Sequence, residues 1–502
     1  MSVTGHNGVA RGAKLGIDPL MQRLARLSTK QVVLVALAAT SLACSGSDEA
    51  TQKSPAPVFT PDPNLPGPPE WNDPVAKPAD DQALGERGAC AYSSGAMPAA
   101  TQGVSRPNGA EIPVDTIVVA MMENRSFDHY FQKIGSVGVE ADVASDDFTN
   151  PDTEGNPVAI HPANSYCFVD TAHNFEAIAR QINGGQMDGF VITNAGNHEA
   201  PAPGLELIEG ERAMAYYTEA DIPLTYFLAQ NFSIGDRYFA STPTQTWPNR
   251  MYLFAATSFG ESNNDFPTNV DKTIFDYLTE RGISWKFYAT AVPTMGIVTL
   301  AKIGDYSAAG NLVNISEFAV DAAAGTLPQV AFVDPDGTST PDIHHSDEHP
   351  PAIMQLGQKW LGEIISALAQ SPHWERSAMF ITYDEHGGLY DHVVPPPSCP
   401  PDDRFEEPGV RFDQYGIRVP FLVVSPFAKR GYVSHAVYDH TSILRFIEAR
   451  FVMPALTNRD ANAEAPWDVF DFESPPNAER PAVPIPVVDQ AKLDACDVLW
   501  GI

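Results

Sequence analysis

Two apolar runs of strand length, each stopping abruptly at acids, constrain the chain most. Residues 115–122 read Asp-Thr-Ile-Val-Val-Ala-Met-Met and give way to Glu123-Asn124-Arg125-Ser126. Residues 378–382 lead into Asp384-Glu385-His386-Gly387-Gly388, followed by Asp391 and His392. Continuous apolar runs rich in β-branched residues mark strands buried on both faces, as at the centre of a parallel sheet. Open α/β sheets place their ligands outside the carboxyl ends of such strands. One acid pair alone would mean little, because charged side chains are mostly exposed. Two such strand ends in one chain point to a shared site.

The rest of the folded part alternates. Helical patterns at 223–232, 272–281, 353–368 and 441–451 interleave with strand-like runs at 232–234, 283–289, 327–333 and 419–425. That order predicts an α/β fold with a mostly parallel central sheet and helices on both faces.

Ahead of it lie two segments of different composition. Arg11, Lys14, Arg23, Arg26 and Lys30 precede an apolar run of 12 residues, Val32 to Ala43. A membrane span needs roughly 20 residues, so residues 1–44 read as a secretory signal. The ending Ser41-Leu42-Ala43-Cys44 resembles a lipobox with Ser41 where Leu is usual, which would make Cys44 a lipidated N-terminus. The chain is therefore expected to be exported: lipid-anchored at the cell envelope (outer membrane) through Cys44, or else periplasmic or secreted. Residues 45–110 are crowded with proline and predict an extended, disordered linker. Residues 111–502 are the expected catalytic domain. Cys90, Cys167, Cys399 and Cys496 suit up to two disulfides in an exported protein, with three pairings open. With 63 acidic against 31 basic residues and a net charge of -32, nucleic acid is not an expected partner.

Further residue types of interest stand in the loops. Ala172-His173-Asn174-Phe175 opens a helix, and His173 taken alone reads more as a structural histidine than a catalytic one. Thr246-Trp247-Pro248-Asn249-Arg250 opens another. Pro248 suits a first helical turn, and Thr246 is then a cap or the neighbour of one. Alternatively, Thr246 is a hydroxyl nucleophile at a helix start, where free N–H groups favour a phosphate. His344, His345, Asp347, Glu348 and His349 form the densest cluster of ligand-type side chains, five within six residues. Asp439 and His440 precede the last helix pattern.

Together these motifs resemble the phosphoesterase family of bacteria and plants that contains phospholipase C enzymes and secreted acid phosphatases, on an alkaline-phosphatase-like fold. The matching segments are Glu123-Asn124-Arg125-Ser126-Phe127-Asp128-His129, Asn183-Gly184-Gly185 with Met187-Asp188-Gly189, Asp236 through Arg250, Asp347-Glu348-His349-Pro350-Pro351, and Thr382 through Gly388. They stand in the family's order over residues 113–452. The resemblance implies Glu123, Asn124, Asp384 and Glu385 as metal ligands, with Thr246 as both nucleophile and ligand. It implies His173 and His349 beside the phosphate. Asn249, Arg250, His386, Asp391 and His440 are expected around substrate or behind the ligands, with Arg250 more an anchor than a phosphate clamp. The chain departs from the family's His-Ser-Trp pattern with His173-Asn174-Phe175.

An all-oxygen ligand set suits Mg²⁺, Ca²⁺ or Mn²⁺, and Zn²⁺ if histidines join. The expected reaction is metal-dependent phosphate-ester hydrolysis through a phospho-threonine intermediate, with phospholipids as substrates in the manner of a phospholipase C. The alternatives are an acid phosphatase acting on soluble monoesters and a non-catalytic surface lipoprotein that binds a cation or phosphate. A sulfatase would need a Cys-x-Pro-x-Arg context, which the chain lacks.

Overall fold

The computed structural model describes residues 56–195, 210–290, 293–404 and 410–502. The signal segment, Cys44 and the first residues of the linker lie outside the described residues. Eight strands form the main sheet: β1 Thr116–Met122, β2 Ser233–Gly235, β3 Trp285–Ala289, β4 Leu312–Asn314, β5 Val330–Val333, β6 Ser377–Tyr383, β7 Phe421–Val424 and β8 Tyr432–Ser434. Their order is β4-β3-β5-β1-β6-β7-β2-β8. All run parallel except β7, which is antiparallel to both β6 and β2.

The continuous apolar runs are the two central strands. Every residue of β1 and of β6 is buried. Adjacent residues of a strand face opposite sides, and β3 makes the two layers explicit. Phe287 packs on Phe254 and Phe275, from helices Thr246–Ala255 and Ile274–Glu280. Its neighbour Tyr288 packs edge-on against Phe318 of helix Ser316–Ala324. Helices therefore cover both faces. Register brings the carboxyl ends of β1 and β6 level, with Tyr383 opposite Met122.

The expected linker is corrected from residue 56 onward: the chain there is folded onto the domain. Trp71 is buried edge-on against Tyr277 beneath the Arg281 guanidinium, which also donates to Pro66 O and Asn72 Oδ1 at 2.8 Å each. Lys77 Nζ donates to Arg106 O at 2.6 Å. In the last turn of helix Asp80–Gly88, Arg87 pairs with Glu464. Disulfide Cys90–Cys399 closes the segment, and Cys167–Cys496 ties the last helix, Gln490–Trp500, to the body. Proline content marked this stretch as an extended linker, but its few aromatic and cationic anchors decide whether it packs.

Candidate active site

Glu123 and Asn124 follow β1, and Asp384 and Glu385 follow β6. Backbone bonds lace the two ends together: Asp384 N donates to Met122 O at 3.1 Å and Arg125 N to Glu385 O at 3.1 Å. Asn124 N donates to Asp384 Oδ1 at 3.1 Å. Asn124 sits at φ 61°, a left-handed conformation that asparagine tolerates. The glycine pair has a packing reason. Gly387 and Gly388 have φ of +65° and +70°, and a Cβ on either would stand 2.4 Å from a carbonyl oxygen, of Asn124 or Ala172 respectively. No other residue lets the β6 loop lie this close to the β1 loop.

Arg250 is the counter-charge. Its fully buried guanidinium lies 2.8 Å from Glu123 Oε1, 3.7 Å from Asp334 Oδ1 and 3.8 Å from Asp384 Oδ2. One cation among three acids leaves negative charge over. Burial, with Glu123 alongside, pushes the Asp384 carboxyl up to about 6 despite Arg250. Burial likewise drives Glu385 well above the carboxylate range, against the pull of His173. Asn124 Oδ1, Asp384 Oδ2 and Glu385 Oε1 are buried and meet no donor among the described residues. Unpartnered hard oxygens in an over-acidic pocket fit a divalent cation that prefers oxygen. Glu123, Asn124, Asp384 and Glu385 are the residues that would hold it.

Thr246 is the first residue of helix Thr246–Ala255; the cap is Gln245. The capping reading of Thr246 therefore falls. Its hydroxyl has no hydrogen bond among the described residues, and it lines a cleft of about 480 Å³ with Glu123, His173, Arg250 and His349. Asn249 fixes the helix start: its amide donates to Thr242 O, Thr244 O and Gln245 O, at 2.8–3.2 Å, and accepts from Thr242 N at 3.0 Å. Not all first-turn N–H groups are free, because Trp247 N donates to Asn264 Oδ1 at 2.8 Å.

His173 and His349 meet edge-on across the cleft, ring centroids 5.6 Å apart. Burial disfavours charge on His349, but Asp170, Glu123 and Asp347 outweigh it and its pKa lies above the ordinary value. For His173 burial is likewise outweighed, by Glu385 and Asp170, although His349 opposes. The five-residue cluster around them is dispersed. His344 reaches Asp497 at 2.9 Å, and His345 lies 3.6 Å from Asp347. Glu348 is buried, accepting from Tyr383 OH at 2.6 Å, Gln358 Nε2 at 2.9 Å and Tyr130 OH.

His386 and His440 stand behind the acids rather than in the cleft. His386 Nε2 is 2.9 Å from Gln181 Oε1, and burial holds its pKa well below the usual value. His440 donates from Nε2 to Asp384 O at 2.8 Å, and burial takes its pKa down to about 3. Both rings are neutral props.

Asp391 does not join the site, contrary to expectation. Its carboxylate and that of Asp128 clamp Arg418 at 2.9 Å each, with the guanidinium 4.6 Å above the Phe127 ring and all three charged groups buried. Replacing Arg418 with Met removes the guanidinium that both buried carboxylates share, leaving Asp128 to His392 and Asp391 to backbone N–H donors. The expected cost is about 3–5 kcal/mol, read as a lowered urea midpoint with an unchanged slope.

Sequence reasoning missed Asp170 and Asp334. Asp334 lies at the carboxyl end of β5 and takes Thr294 N at 2.8 Å. The only signal was that a third strand ends in an acid. Asp170 lies in a stretch where acids are common, and nothing in the sequence singled it out. The cleft also has an apolar side, formed by Trp247, Phe266, Ile297 and Leu300, with Phe266 52% and Leu300 60% exposed at its mouth.

Known proteins resemble this chain along most of its folded part. The model of the Phosphoesterase family matches residues 114–454. Non-specific phospholipase C1 of Arabidopsis thaliana is 32% identical over 413 residues, covering 75% of this chain and 74% of that one. Phospholipase C A of Mycobacterium tuberculosis (strain ATCC 25618 / H37Rv) is 29% identical over 445 residues, covering 76% and 82%. Among solved structures, a protein in the alkaline phosphatase superfamily from Vibrio parahaemolyticus aligns at a TM-score of 0.35 and 10% identity, over 78% of each chain. The family match spans both acidic strand ends, the Thr246 helix and His349. The chain belongs to the Phosphoesterase family and is a phosphoric ester hydrolase.

Proposed function

We propose that the protein hydrolyses phospholipids in the manner of a phospholipase C, releasing diacylglycerol and a phosphorylated head group. The observation that carries this reading is the two-sided cleft. Acids and Thr246 form one side, and an apolar lip runs to the surface on the other. A lipid phosphodiester needs both. The names of the two relatives above support the same substrate class.

Thr246 is the nucleophile in this proposal. Its Oγ forms a bond to phosphorus as the bond from phosphorus to the glycerol oxygen breaks. Asn249 positions the helix start so that the hydroxyl faces the cleft. His173 or His349, each with a pKa above the ordinary imidazole value, donates a proton to the departing oxygen. Water then attacks phosphorus, giving a proton back to that imidazole, as the bond from phosphorus to Thr246 Oγ breaks. A divalent cation held by Glu123, Asn124, Thr246, Asp384 and Glu385 would favour the ionised hydroxyl and neutralise charge on the phosphoryl oxygens. Mg²⁺, Ca²⁺ and Mn²⁺ match these oxygens best.

Export belongs to the same proposal. Two disulfides joining segments more than 300 residues apart suit an oxidising compartment. A lipid on Cys44 would keep the enzyme near a membrane.

The test compares phosphatidylcholine vesicles with p-nitrophenyl phosphate, each with and without EDTA. Vesicle hydrolysis that EDTA abolishes is the expected result. Hydrolysis of the monoester alone would replace the reading with a soluble-ester phosphatase. Phe266→Ser, at the exposed lip, is expected to lower vesicle hydrolysis about tenfold by removing buried apolar area at the interface. Its rate on a soluble diester should stay within about twofold.

A further inference from the structure

The geometry points to a second cation site, made by Asp170, His173 and His349, that takes Zn²⁺ or a similar borderline divalent ion and inhibits hydrolysis when filled. Each of the three residues offers one donor atom, and these atoms lie within 4.8 Å of one another. Two imidazoles and one carboxylate, with a fourth position left to water, form a donor set that zinc accepts. The oxygen cage beside it holds no nitrogen donor, so the two sites differ in the metal they select.

Both imidazoles are prepared for a metal. His173 Nδ1 bonds Thr171 O at 2.5 Å, and His349 Nδ1 bonds Pro350 O at 2.5 Å. A carbonyl acceptor keeps the proton on Nδ1 of a neutral ring and leaves the Nε2 lone pair for a ligand; an ion there would draw the half-exposed Asp170 carboxylate from its present place 3.8 Å from His173 Nδ1. His173 Nε2 meets only the Asn124 amide, at 3.4 Å. Asp170 is held in turn: its carboxylate accepts from Thr171 N at 2.8 Å, and its carbonyl accepts from Arg212 at 3.0 Å. The surrounding charge attracts a cation, since Glu123, Asp347 and Glu385 act on the same two rings. Both histidines line the open cleft, so an ion can reach them.

Inhibition follows from the proposed reaction, on which this part of the inference rests. A ring whose Nε2 binds a metal cannot carry the proton that the departing oxygen needs. The ion also brings two donors of the cleft into one fixed geometry where substrate must pass.

The experiment uses the full chain, stripped with EDTA, dialysed and reloaded with excess Mg²⁺. Zinc chloride is then titrated in, with uptake followed by calorimetry and by elemental analysis for both metals. The expected result is one Zn²⁺ bound per chain with Mg²⁺ retained. Asp170→Asn and His349→Ala weaken that uptake by at least about tenfold, whereas Thr246→Ala leaves it intact. Asp170 is partly exposed, and its amide is isosteric, so a melting curve within a few degrees of the parent controls for folding. Hydrolysis by the parent falls as Zn²⁺ binds, and added Mg²⁺ does not restore it.

Unchanged zinc uptake in both ligand variants overturns the site. Loss of one Mg²⁺ for each Zn²⁺ gained overturns it too, because the ion then competes for the oxygen cage. Activation by Zn²⁺ overturns the inhibitory role. Metal uptake is measured without substrate, so failure of the lipid-hydrolase reading and failure of the metal site remain distinguishable.

Discussion

Thr246→Ala is expected to lower hydrolysis of every phosphate ester the protein accepts by about a thousandfold or more, with little change in folding. The hydroxyl makes no hydrogen bond among the described residues, so its removal leaves no buried donor or acceptor unpaired. The cap of its helix is Gln245, and the Asn249 amide bonds hold the turn regardless of what residue 246 carries. Stability should therefore stay within about 0.5 kcal/mol, as for substitutions away from packed or bonded features. A structural threonine would behave in the opposite way, losing stability and keeping activity. Thr246→Ser separates the two further, because it retains the hydroxyl and should retain activity within about tenfold.

Arg250→Met is expected to give the largest loss of stability at the site, about 3–5 kcal/mol for the metal-free protein at pH 7. The guanidinium is the buried positive charge shared by Glu123, Asp334 and Asp384. Methionine keeps the volume and removes the charge. The loss should depend on pH in a definite direction. Burial raises both Asp334 and Asp384 to about 6, above the values these groups have in an unfolded chain. Raised carboxyls bind protons more tightly when folded, so metal-free stability declines as pH rises from about 4 to about 6. Without Arg250 the folded values climb further, and the decline extends to higher pH. The deficit of Arg250→Met is thus smallest near pH 4 and grows through pH 6. Urea titrations at several pH values after EDTA treatment measure it. A deficit independent of pH would mean that Arg250 acts through packing alone.

The centre of the fold was legible because β1 and β6 are buried on both faces, which leaves an unbroken apolar run. The acids at their ends were legible because nothing in a buried strand explains a carboxylate. Other features carried no such signal. The antiparallel direction of β7 cannot be read from its residues, since a doubly buried strand looks alike in either direction. Asp391 and Asp384 have the same local character, and only the position of Arg418 separates an acid of a structural clamp from an acid of the strand-end cluster. Asp334 is hidden in Asp-Pro-Asp-Gly, which reads equally well as a turn. Residues 56–110 look like a linker because composition counts prolines, whereas packing depends on single contacts such as Trp71 with Arg281. Asp170 became visible only when the fold brought His349, from a distant segment, to Asp170 and its near neighbour His173.

The central claim is that Thr246, at the start of its helix, takes the phosphoryl group from the ester. The most direct measurement is acid quenching of the enzyme during turnover, followed by peptide mass spectrometry. The account predicts one added phosphoryl group on the peptide bearing Thr246, localised to that residue, and its absence when substrate is omitted. A phosphoryl group on another side chain, or undiminished turnover by Thr246→Ala, would contradict it.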